Sequence, residues 1–276
     1  MENKRLDHDL YQWNAKTVLE KEGVVVGCSQ TQEWLLPWWW MHYSTHNQIP
    51  VTFVDFGDMS QEARQWCEKK GKLTSLSFSI EKFIAGKDSV SSEHAKIWKG
   101  LELDVWQRRL QWFKKPFACL QSPYKWSLWL DLDCEIRKSL SPLFSFSDNP
   151  MKMALAEEPP LVQKFHEQKG LIQFGEIEYN TGVIAFQHGS TIIQDWAKMG
   201  IQFNNALRGD QEAYSRMVFL NDLQIPKLDP IYNWRGEFAV DETVAIIHWL
   251  GGSKHHIRDE MSLFEKERSV SFSFAN

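Results

Sequence analysis

The chain has 276 residues, of which 43% are hydrophobic and 24% charged, so it can form one large domain without disulfide support. Its net charge of -5 argues against a nucleic-acid partner, and we find no apolar run of the roughly 20 residues that span a bilayer and no signal-peptide core. Its 4 cysteines have no metal-ligand spacing, which predicts reduced thiols and a cytoplasmic protein.

The first part of the chain alternates predicted strands with predicted helices. The β-branched run Gly23–Gly27 precedes a polar turn and a helical pattern at Trp34–His46. The unit repeats with a strand at Pro50–Phe56 and a helix at Gln61–Lys70, and Leu73–Phe78 adds a third strand. This alternation is typical of a parallel α/β sheet, whose ligands bind beyond the carboxyl ends of the strands.

The remainder continues the alternation without an internal repeat or linker. Asp104–Leu120 has a helical pattern that we expect Pro116 to bend. Further predicted elements are the strands Lys152–Ala156, Tyr179–Phe186 and Thr243–Trp249 and the helices Thr191–Met199 and Gln211–Leu220. We therefore predict a single domain over residues 23–256, with an N-terminal extension (1–22) and a C-terminal tail (257–276).

One apolar run ends in two carboxylates. Trp126–Leu130 reads as a buried strand and is followed by Asp131 and Asp133. Residues two apart on a strand point to the same face, so both carboxylates could bind one cation. Two acids at the rim of a core repel each other unless a hard divalent cation joins them. A capped turn at the end of the strand is the structural alternative.

A second apolar strand ends in a histidine. His248 is followed by Gly251, Gly252 and Lys254. A single histidine in such a place is usually structural, but an imidazole with two carboxylates suits Mn²⁺ or a similar ion. The glycines would let the backbone approach a phosphate, and Lys254 would add a positive charge beside it.

Together these segments resemble, in type and order, retaining glycosyltransferases of the GT-A fold, most closely glycosyltransferase family 8. The likeness covers about residues 23–256 and comprises an Asp-x-Asp motif, an Asn-x-Gly strand, an Asp-Gln pair and a His-x-x-Gly-x-x-Lys segment, at Leu128–Asp133, Tyr179–Val183, Asp210–Ala213 and His248–Lys254. The resemblance implies an α/β fold with a Rossmann-like mixed sheet flanked by helices. It also implies a nucleotide-diphosphate-sugar donor, with a UDP-sugar favoured.

By this resemblance, Asp131, Asp133 and His248 would hold Mn²⁺ or Mg²⁺ against the donor diphosphate. Lys254 and the backbone of Gly251 match the diphosphate contacts of the family. A Lewis acid with nearby cations would stabilise the charge that develops on the leaving diphosphate.

The resemblance is less direct for the nucleotide. Lys114 occupies about the place where the family keeps a cation near the aspartates, although Lys115 or Arg109 could serve instead. Where the family commonly has acidic and aromatic residues for the base, this chain has a segment containing Ser29. Asp55 at the next strand end is a further candidate, and guanosine stays open beside uridine.

Three polar residues match the sugar-binding positions of the family. Gln211 matches the residue that lies against the reacting face of the donor sugar, and Asp210 and Asn180 match residues that hold sugar hydroxyls. Without the resemblance, Asp210 would be a helix cap and Asn180 a turn at the start of a strand. The family retains anomeric configuration by front-side attack, so we assign no general base, and we do not make Glu212 a nucleophile.

Two other functions and the acceptor stay open. A metal-dependent phosphohydrolase or nucleotidyltransferase could add Asp55 or Glu135 to the two aspartates. A binding module without activity could use an aromatic surface at Leu36–Trp40, although we favour a core position for these tryptophans. The acceptor, a glycan, a lipid-linked sugar or a protein, would meet loops such as Glu157–Gly175 and Arg258–Asn276. Peripheral membrane contact is compatible with the aromatic excess.

Overall fold

The computed structural model describes residues 20–144 and 153–263. Its strands are β1 (Glu20–Cys28), β2 (Val51–Asp55), β3 (Lys72–Ser75), β4 (Tyr124–Leu130), β5 (Cys134–Ile136), β6 (Met153–Glu157), β7 (Tyr179–Gln187), β8 (Trp234–Arg235) and β9 (Ile246–His248). Its helices are α1 (Leu36–His46), α2 (Gln61–Lys70), α3 (Ser92–Leu101), α4 (Val105–Leu120), α5 (Pro160–Gln168), α6 (Thr191–Phe203) and α7 (Asp210–Leu220), and residues 255–263 are also helical.

Six strands form a mixed central sheet in the order β3-β2-β1-β4-β7-β6. β1 pairs in parallel with β2 and β4, and β2 with β3, whereas β7 runs antiparallel between β4 and β6. A smaller sheet has the order β5-β9-β8. Because β5 starts shortly after β4 ends, the small sheet lies next to the carboxyl end of β4, where the predicted site begins.

Both faces of the central sheet are covered. Alternate residues of β1 enter different cores, with Val25 on one side and Val24 and Val26 on the other. Trp129 of β4 packs with α4, α6 and α7 on the first side. Burial on both faces explains why these strands read as continuous apolar runs rather than as alternating patterns. The predicted α/β fold with a mixed sheet flanked by helices is confirmed.

The aromatic segment of α1 lies in the core. Trp38 and Trp39 are 2% and 0% exposed, and the Trp39 ring stacks on Tyr43 at a centroid distance of 4.8 Å. Trp40 is partly buried and packs edge-on against Trp66. The preference for a core position is confirmed, and the alternative of an exposed aromatic contact surface at Leu36–Trp40 is wrong.

Two helices were missed by the sequence patterns. α3 lies in a stretch to which we assigned no element, and α5 lies within the predicted loop Glu157–Gly175. The Pro159-Pro160 pair indicated a loop, but Pro160 is the first residue of α5, where a helix needs no backbone N–H. This helix carries His166 to the wall of the cavity described below.

The predicted domain borders fall inside ordered elements. β1 begins at Glu20, within the predicted N-terminal extension, and Ile257 of the predicted tail is fully buried. The rest of that extension (1–19), the rest of the tail (264–276) and Lys152 of a predicted strand lie outside the described residues. Among the helices that the structure describes, none is long and apolar enough to cross a membrane.

Candidate active site

The two aspartates lie in a turn after β4 and not on the strand itself. Asp131 N donates to Gly182 O at 2.9 Å, and Cys134 N donates to Asp131 O at 3.1 Å. The expectation that strand alternation aligns the carboxylates is therefore wrong. The turn nevertheless places both carboxylates near the same atom, because His248 Nε2 lies 3.8 Å from Asp131 Oδ2 and 3.2 Å from Asp133 Oδ1.

Donors on the outer side hold each carboxylate in place. Trp129 Nε1 donates to Asp131 Oδ1 at 2.7 Å, and Lys254 Nζ lies 2.7 Å from Asp133 Oδ2. Burial raises the pKa of Asp131. Burial alone would also raise the pKa of Asp133, but the Lys254 ammonium beside it outweighs burial and holds that pKa well below its usual range. Asp133 is thus a carboxylate at any physiological pH.

The cation beside the aspartates is Lys115. Its Nζ atom lies 3.0 Å from Asp131 and 3.1 Å from Asp210 Oδ2. The neighbouring Lys114 points elsewhere, with Nζ donating to Phe56 O at 2.6 Å. Successive helical residues point about 100° apart, so only one of the two lysines can face the aspartates. The preference for Lys114 in this place is wrong, and the alternative Lys115 occupies it.

A chain of hydrogen bonds determines which nitrogen of His248 carries the proton. The backbone N–H of Gly182 donates to Asn180 Oδ1 at 2.9 Å, which fixes the orientation of that amide. Asn180 Nδ2 donates to Glu158 Oε1 at 2.7 Å, and Asn233 Nδ2 donates to Asn180 Oδ1 at 3.0 Å. Asn233 Oδ1 is therefore an acceptor, and His248 Nδ1, 3.0 Å away, is its donor.

This tautomer leaves a lone pair on His248 Nε2. The atom is buried and has no hydrogen-bond partner of good geometry among the described residues. A lone pair and two carboxylates that converge repel one another unless a cation lies between them. These nitrogen and oxygen donors fit Mn²⁺ or Mg²⁺, and a buried hydrogen bond to the other ring nitrogen is usual for a metal-binding histidine.

A cysteine lies beside this cluster but is a poor ligand. Ligand atoms of Asp133, Cys134 and His248 lie within 4.8 Å of one another. Burial raises the pKa of the Cys134 thiol well above its usual value, so the thiolate that a metal requires is disfavoured. Asp131 is the better third ligand, and the set Asp131, Asp133 and His248 stays our prediction.

A cavity of about 340 Å³ extends from the aspartates along the ends of β4 and β7. Of the predicted residues, those that line it are Asp131, Asp133, Asp210, Gln211, His248, Gly251 and Lys254. Gly251 has a backbone φ of 50°, a left-handed conformation that residues with side chains rarely adopt. The part of the wall toward β1 and β2 comes from Gly27, Gln32, Phe56 and Gln111.

Gln211 is held by two buried carboxylates. Its Nε2 atom donates to Glu158 Oε1 at 3.1 Å and to Glu178 Oε1 at 2.9 Å. Glu158 is 3% exposed and Glu178 0%. Because both carboxylates only accept, the amide nitrogen must face them, and the Gln211 oxygen is left available to a ligand in the cavity.

The other two residues predicted to contact the sugar differ from each other. Asp210 is the first residue of α7 and makes no cap; its carboxylate accepts from Thr181 Oγ1 at 2.7 Å and lines the cavity. Asn180 is 3% exposed and does not line the cavity. Its amide binds Gly182, Glu158 and Asn233, and the structure does not bring it to the place of a sugar.

Two predicted nucleotide contacts are also buried away from the cavity. Ser29 and Asp55 are both 0% exposed. Ser29 Oγ lies 3.0 Å from Thr31 Oγ1, and Asp55 Oδ1 accepts from Gly57 N at 2.7 Å while its other oxygen pairs with Arg64. These contacts stabilise the conformation of the loops after β1 and β2, and neither side chain is free to contact a ligand in the cavity.

The alternative of a two-metal phosphohydrolase or nucleotidyltransferase loses support because its additional carboxylates also lie away from the cavity. Asp55 ends β2, and β1 separates that strand from β4. Glu135 Oε2 accepts from Trp249 Nε1 at 3.0 Å, and the Glu135 side chain does not line the cavity.

Arg109 was the third candidate for the cation near the aspartates. It donates to the backbone carbonyls of Ala85 and Arg208 and does not line the cavity either.

Sequence reasoning missed several polar residues around the cavity. They are His166, Glu158, Glu178, Asn233 and Arg235. Glu158 directly follows Glu157, and Glu178 lies two residues after Glu176, both in segments with loop-like composition, so no local pattern marks them as buried. Only pairing across the fold, such as Arg235 with Glu158 at 2.7 Å, distinguishes them from surface residues.

Comparison with protein-family models and with curated proteins found no match. Solved structures do match. The galactosyltransferase LgtC in complex with donor and acceptor sugar analogs is 16% identical, with 83% of this chain and 87% of that one covered and a TM-score of 0.54. Mouse xyloside xylosyltransferase 1 is 12% identical, with 84% and 98% covered and a TM-score of 0.52.

The glycosyltransferase GlyE of Streptococcus pneumoniae TIGR4 is similar at 16% identity, with 84% of this chain and 56% of that one covered and a TM-score of 0.52. At these identities the likeness concerns the fold. The chain has the GT-A fold of these glycosyltransferases, as its sequence motifs predicted.

Proposed function

We propose that the protein transfers a hexose from a nucleotide-diphosphate sugar, with a UDP-sugar favoured, to a glycan, lipid-linked or protein acceptor. The reaction depends on Mn²⁺ or Mg²⁺ and retains anomeric configuration. The observation that carries the proposal is His248 Nε2, a buried atom whose lone pair meets two carboxylates at the end of β4. Membership of glycosyltransferase family 8 and a cytoplasmic location remain predictions.

In this proposal Asp131, Asp133 and His248 hold the cation. When bound, it supplies Lewis-acid stabilisation of the charge on the departing diphosphate. Lys254, 23% exposed and paired with Asp133, is long enough to turn toward a diphosphate and bind it. The backbone of Gly251 approaches the same anion without steric hindrance from a side chain.

The remaining roles follow from the cavity wall. Gln211 presents its amide oxygen to the donor sugar, and Asp210 accepts from a sugar hydroxyl. An LgtC variant described as an active-site mutant has glutamine replaced by glutamate, which supports an active-site role for a glutamine in this fold. For Asn180 we propose an indirect role: it orients Asn233 and, through it, His248.

A thermal-shift titration with UDP and GDP, each with and without Mn²⁺, tests the proposal. Selective binding to the folded state at 100 times Kd stabilises it by about 2.7 kcal/mol. We expect stabilisation by UDP that requires Mn²⁺ and is lost in Asp133→Asn, which keeps the shape but removes the charge. Asp222→Asn is the matched control, because Asp222 has a positive φ that asparagine tolerates and does not line the cavity.

Equal stabilisation of wild type and Asp133→Asn would contradict the metal site. The absence of any nucleotide response in the wild type would contradict the donor class and favour a binding module. Selective stabilisation by GDP would support the metal site but would identify guanosine, and not uridine, as the base of the donor.

A further inference from the structure

The segment that brings Lys254 to the cavity is held mainly at its two ends. It follows β9, and every hydrogen bond that the described residues make with residues 250–253 lies within residues 248–255. Gly251 and Gly252 are exposed, and a Cβ on either would meet open space. Packing against other elements therefore does not fix the course of this backbone, and its position depends on what precedes and follows it.

The element that follows is the helix of residues 255–263, called the C-terminal helix below. Its inner face joins the core that contains Trp38 of α1, since Ile257 is fully buried there and Met261, one turn later, packs against the same core. Arg258 lies over the Trp34 ring, with Cζ 4.1 Å from the ring centroid. Because the C-terminal helix begins directly after Lys254, its place on α1 sets one end of the segment.

Glu260 is the polar anchor of the C-terminal helix. Its Oε2 atom accepts from Trp38 Nε1 at 2.7 Å, and its Oε1 atom lies 3.2 Å from His42 Nε2. Trp38 and His42 are one turn apart on α1, so one carboxylate contacts two side chains on the same face of that helix. Trp38 is 2% exposed, and a buried indole N–H needs an acceptor, which Glu260 supplies. Since hydrogen bonds are directional, Glu260 fixes the register of the two helices more closely than apolar packing alone.

We propose that Glu260 is a positioning residue for the donor site; this inference rests on the proposed function. By fixing the C-terminal helix on α1, Glu260 holds Lys254 at the cavity, where its Nζ atom lies 2.7 Å from Asp133 Oδ2. Glu260 itself does not line the cavity, so its effect on a ligand passes through Lys254. The coupling is reciprocal: a diphosphate bound by Lys254 also stabilises the docked C-terminal helix.

Calorimetric titration of UDP at saturating Mn²⁺ measures this effect. We expect Glu260→Ala to raise the Kd for UDP about 3- to 30-fold, the range of indirect couplings of this kind. Glu260→Gln should restore most of the affinity, because its amide oxygen can still accept from Trp38 Nε1. Trp38→Phe removes the same hydrogen bond from the other side and should weaken UDP by a similar factor. It carries the test if Glu260→Ala does not fold.

Two neighbouring residues provide matched controls. Asp259→Ala removes an exposed carboxylate from the same helix. Trp39→Phe makes the aromatic substitution at a buried tryptophan of α1 whose Nε1 atom has no hydrogen-bond partner among the described residues. Both controls should bind UDP as the wild type does.

A double-mutant cycle with Lys254→Met separates positioning from a general loss of structure. If Glu260 acts through Lys254, Glu260→Ala should raise the Kd less than about 2-fold once Lys254 is already absent. The same factor with and without Lys254 would overturn the proposal in favour of a purely structural role.

Tryptic cleavage after Lys254 tests the docking of the C-terminal helix without a nucleotide. Cleavage requires local opening, so Glu260→Ala should be cut there faster than the wild type or Trp39→Phe. UDP with Mn²⁺ should slow this cleavage in the wild type, because the coupling is reciprocal.

Unchanged UDP affinity in Glu260→Ala and Trp38→Phe would overturn the proposal. Failure of the proposed function is distinct, because the wild type itself would then not respond to UDP and Mn²⁺. Failure of this inference leaves that wild-type response intact.

Discussion

The two ends of the cavity differ in how their carboxylates are balanced by neighbouring groups. At the metal end, formed by Asp131, Asp133 and His248, a buried lone pair and two carboxylates converge and repel one another. At the sugar end, formed by Gln211, Glu158, Glu178 and Arg235, each carboxylate is matched by a donor, as in the pair of Arg235 with Glu158 at 2.7 Å. Under the proposed function, this difference suits the metal end to a cation and the sugar end to a neutral, hydroxyl-bearing ligand.

Lys115 joins the two ends, and removing it should have the largest effect on stability. Burial alone would lower the pKa of this ammonium, but Asp131 and Asp210 outweigh burial and raise it. Lys115→Met leaves two carboxylates without their cation, and breaking a buried ion pair typically costs about 3–5 kcal/mol. We expect a loss of this size in urea unfolding with EDTA present.

Lys114→Met is the matched control for that variant. Lys114 pairs with Glu81, whose side chain is 48% exposed and can return to water. We therefore expect the control to lose about 1 kcal/mol. Equal losses for the two lysine variants would contradict the assignment of Lys115 to the junction.

Gln211→Glu tests whether the sugar end is electrostatically satisfied. The variant adds a third carboxylate against Glu158 and Glu178, and like charges raise the pKa of the new group. A raised pKa of one to two units corresponds to about 1.4–2.7 kcal/mol of lost stability at neutral pH. The loss should shrink as the pH falls through the raised pKa, because protonation removes the repulsion.

The measurement is the free energy of unfolding of Gln211→Glu relative to wild type between pH 5 and pH 8. A deficit that is constant over this range would indicate a packing effect and contradict the charge argument. Gln187→Glu, on a partly exposed residue at the end of β7, is the control for the substitution itself.

Gly182→Ala probes the space that the metal end requires. A Cβ on Gly182 would overlap the His248 ring, so the ring must move. We expect about 1–3 kcal/mol of destabilisation from overpacking and the loss of the Mn²⁺-dependent response to UDP. Gly100→Ala is the control, because a Cβ there has open space around it. A full Mn²⁺ response in Gly182→Ala would exclude His248 as a ligand.

The sequence was informative where function depends on strand ends and motifs, and uninformative where it depends on pairing across the fold. The run Trp126–Leu130 followed by two aspartates, and His248 after a second apolar run, predicted the metal end although the aspartates lie in a turn. The choice between Lys114 and Lys115 needed the rotation of α4, which local patterns do not fix. Glu178 looks like a loop acid, and its burial depends on α5 and α7 packing around it.

The hydrogen-bond relay from Asn180 through Asn233 to His248 Nδ1 offers a smaller and more specific test of the metal end. Asn233→Leu keeps similar bulk but removes the acceptor that holds the hydrogen on Nδ1. The ring can then turn or place its hydrogen on Nε2, so only part of its population presents a lone pair to the aspartates. Loss of such an outer contact typically weakens metal binding about 10- to 100-fold.

Calorimetric titration with Mn²⁺ in the presence of UDP measures this loss directly, and the exposed Asn221→Leu serves as the control. Because the relay acts on orientation and not on charge, Asn233→Leu should weaken Mn²⁺ less than Asp133→Asn, and Asn180→Leu should resemble Asn233→Leu. If Asn180→Leu instead left Mn²⁺ binding intact and weakened only the donor sugar, Asn180 would be a direct sugar contact. The Asn-x-Gly motif would then belong to the sugar end rather than to the metal end.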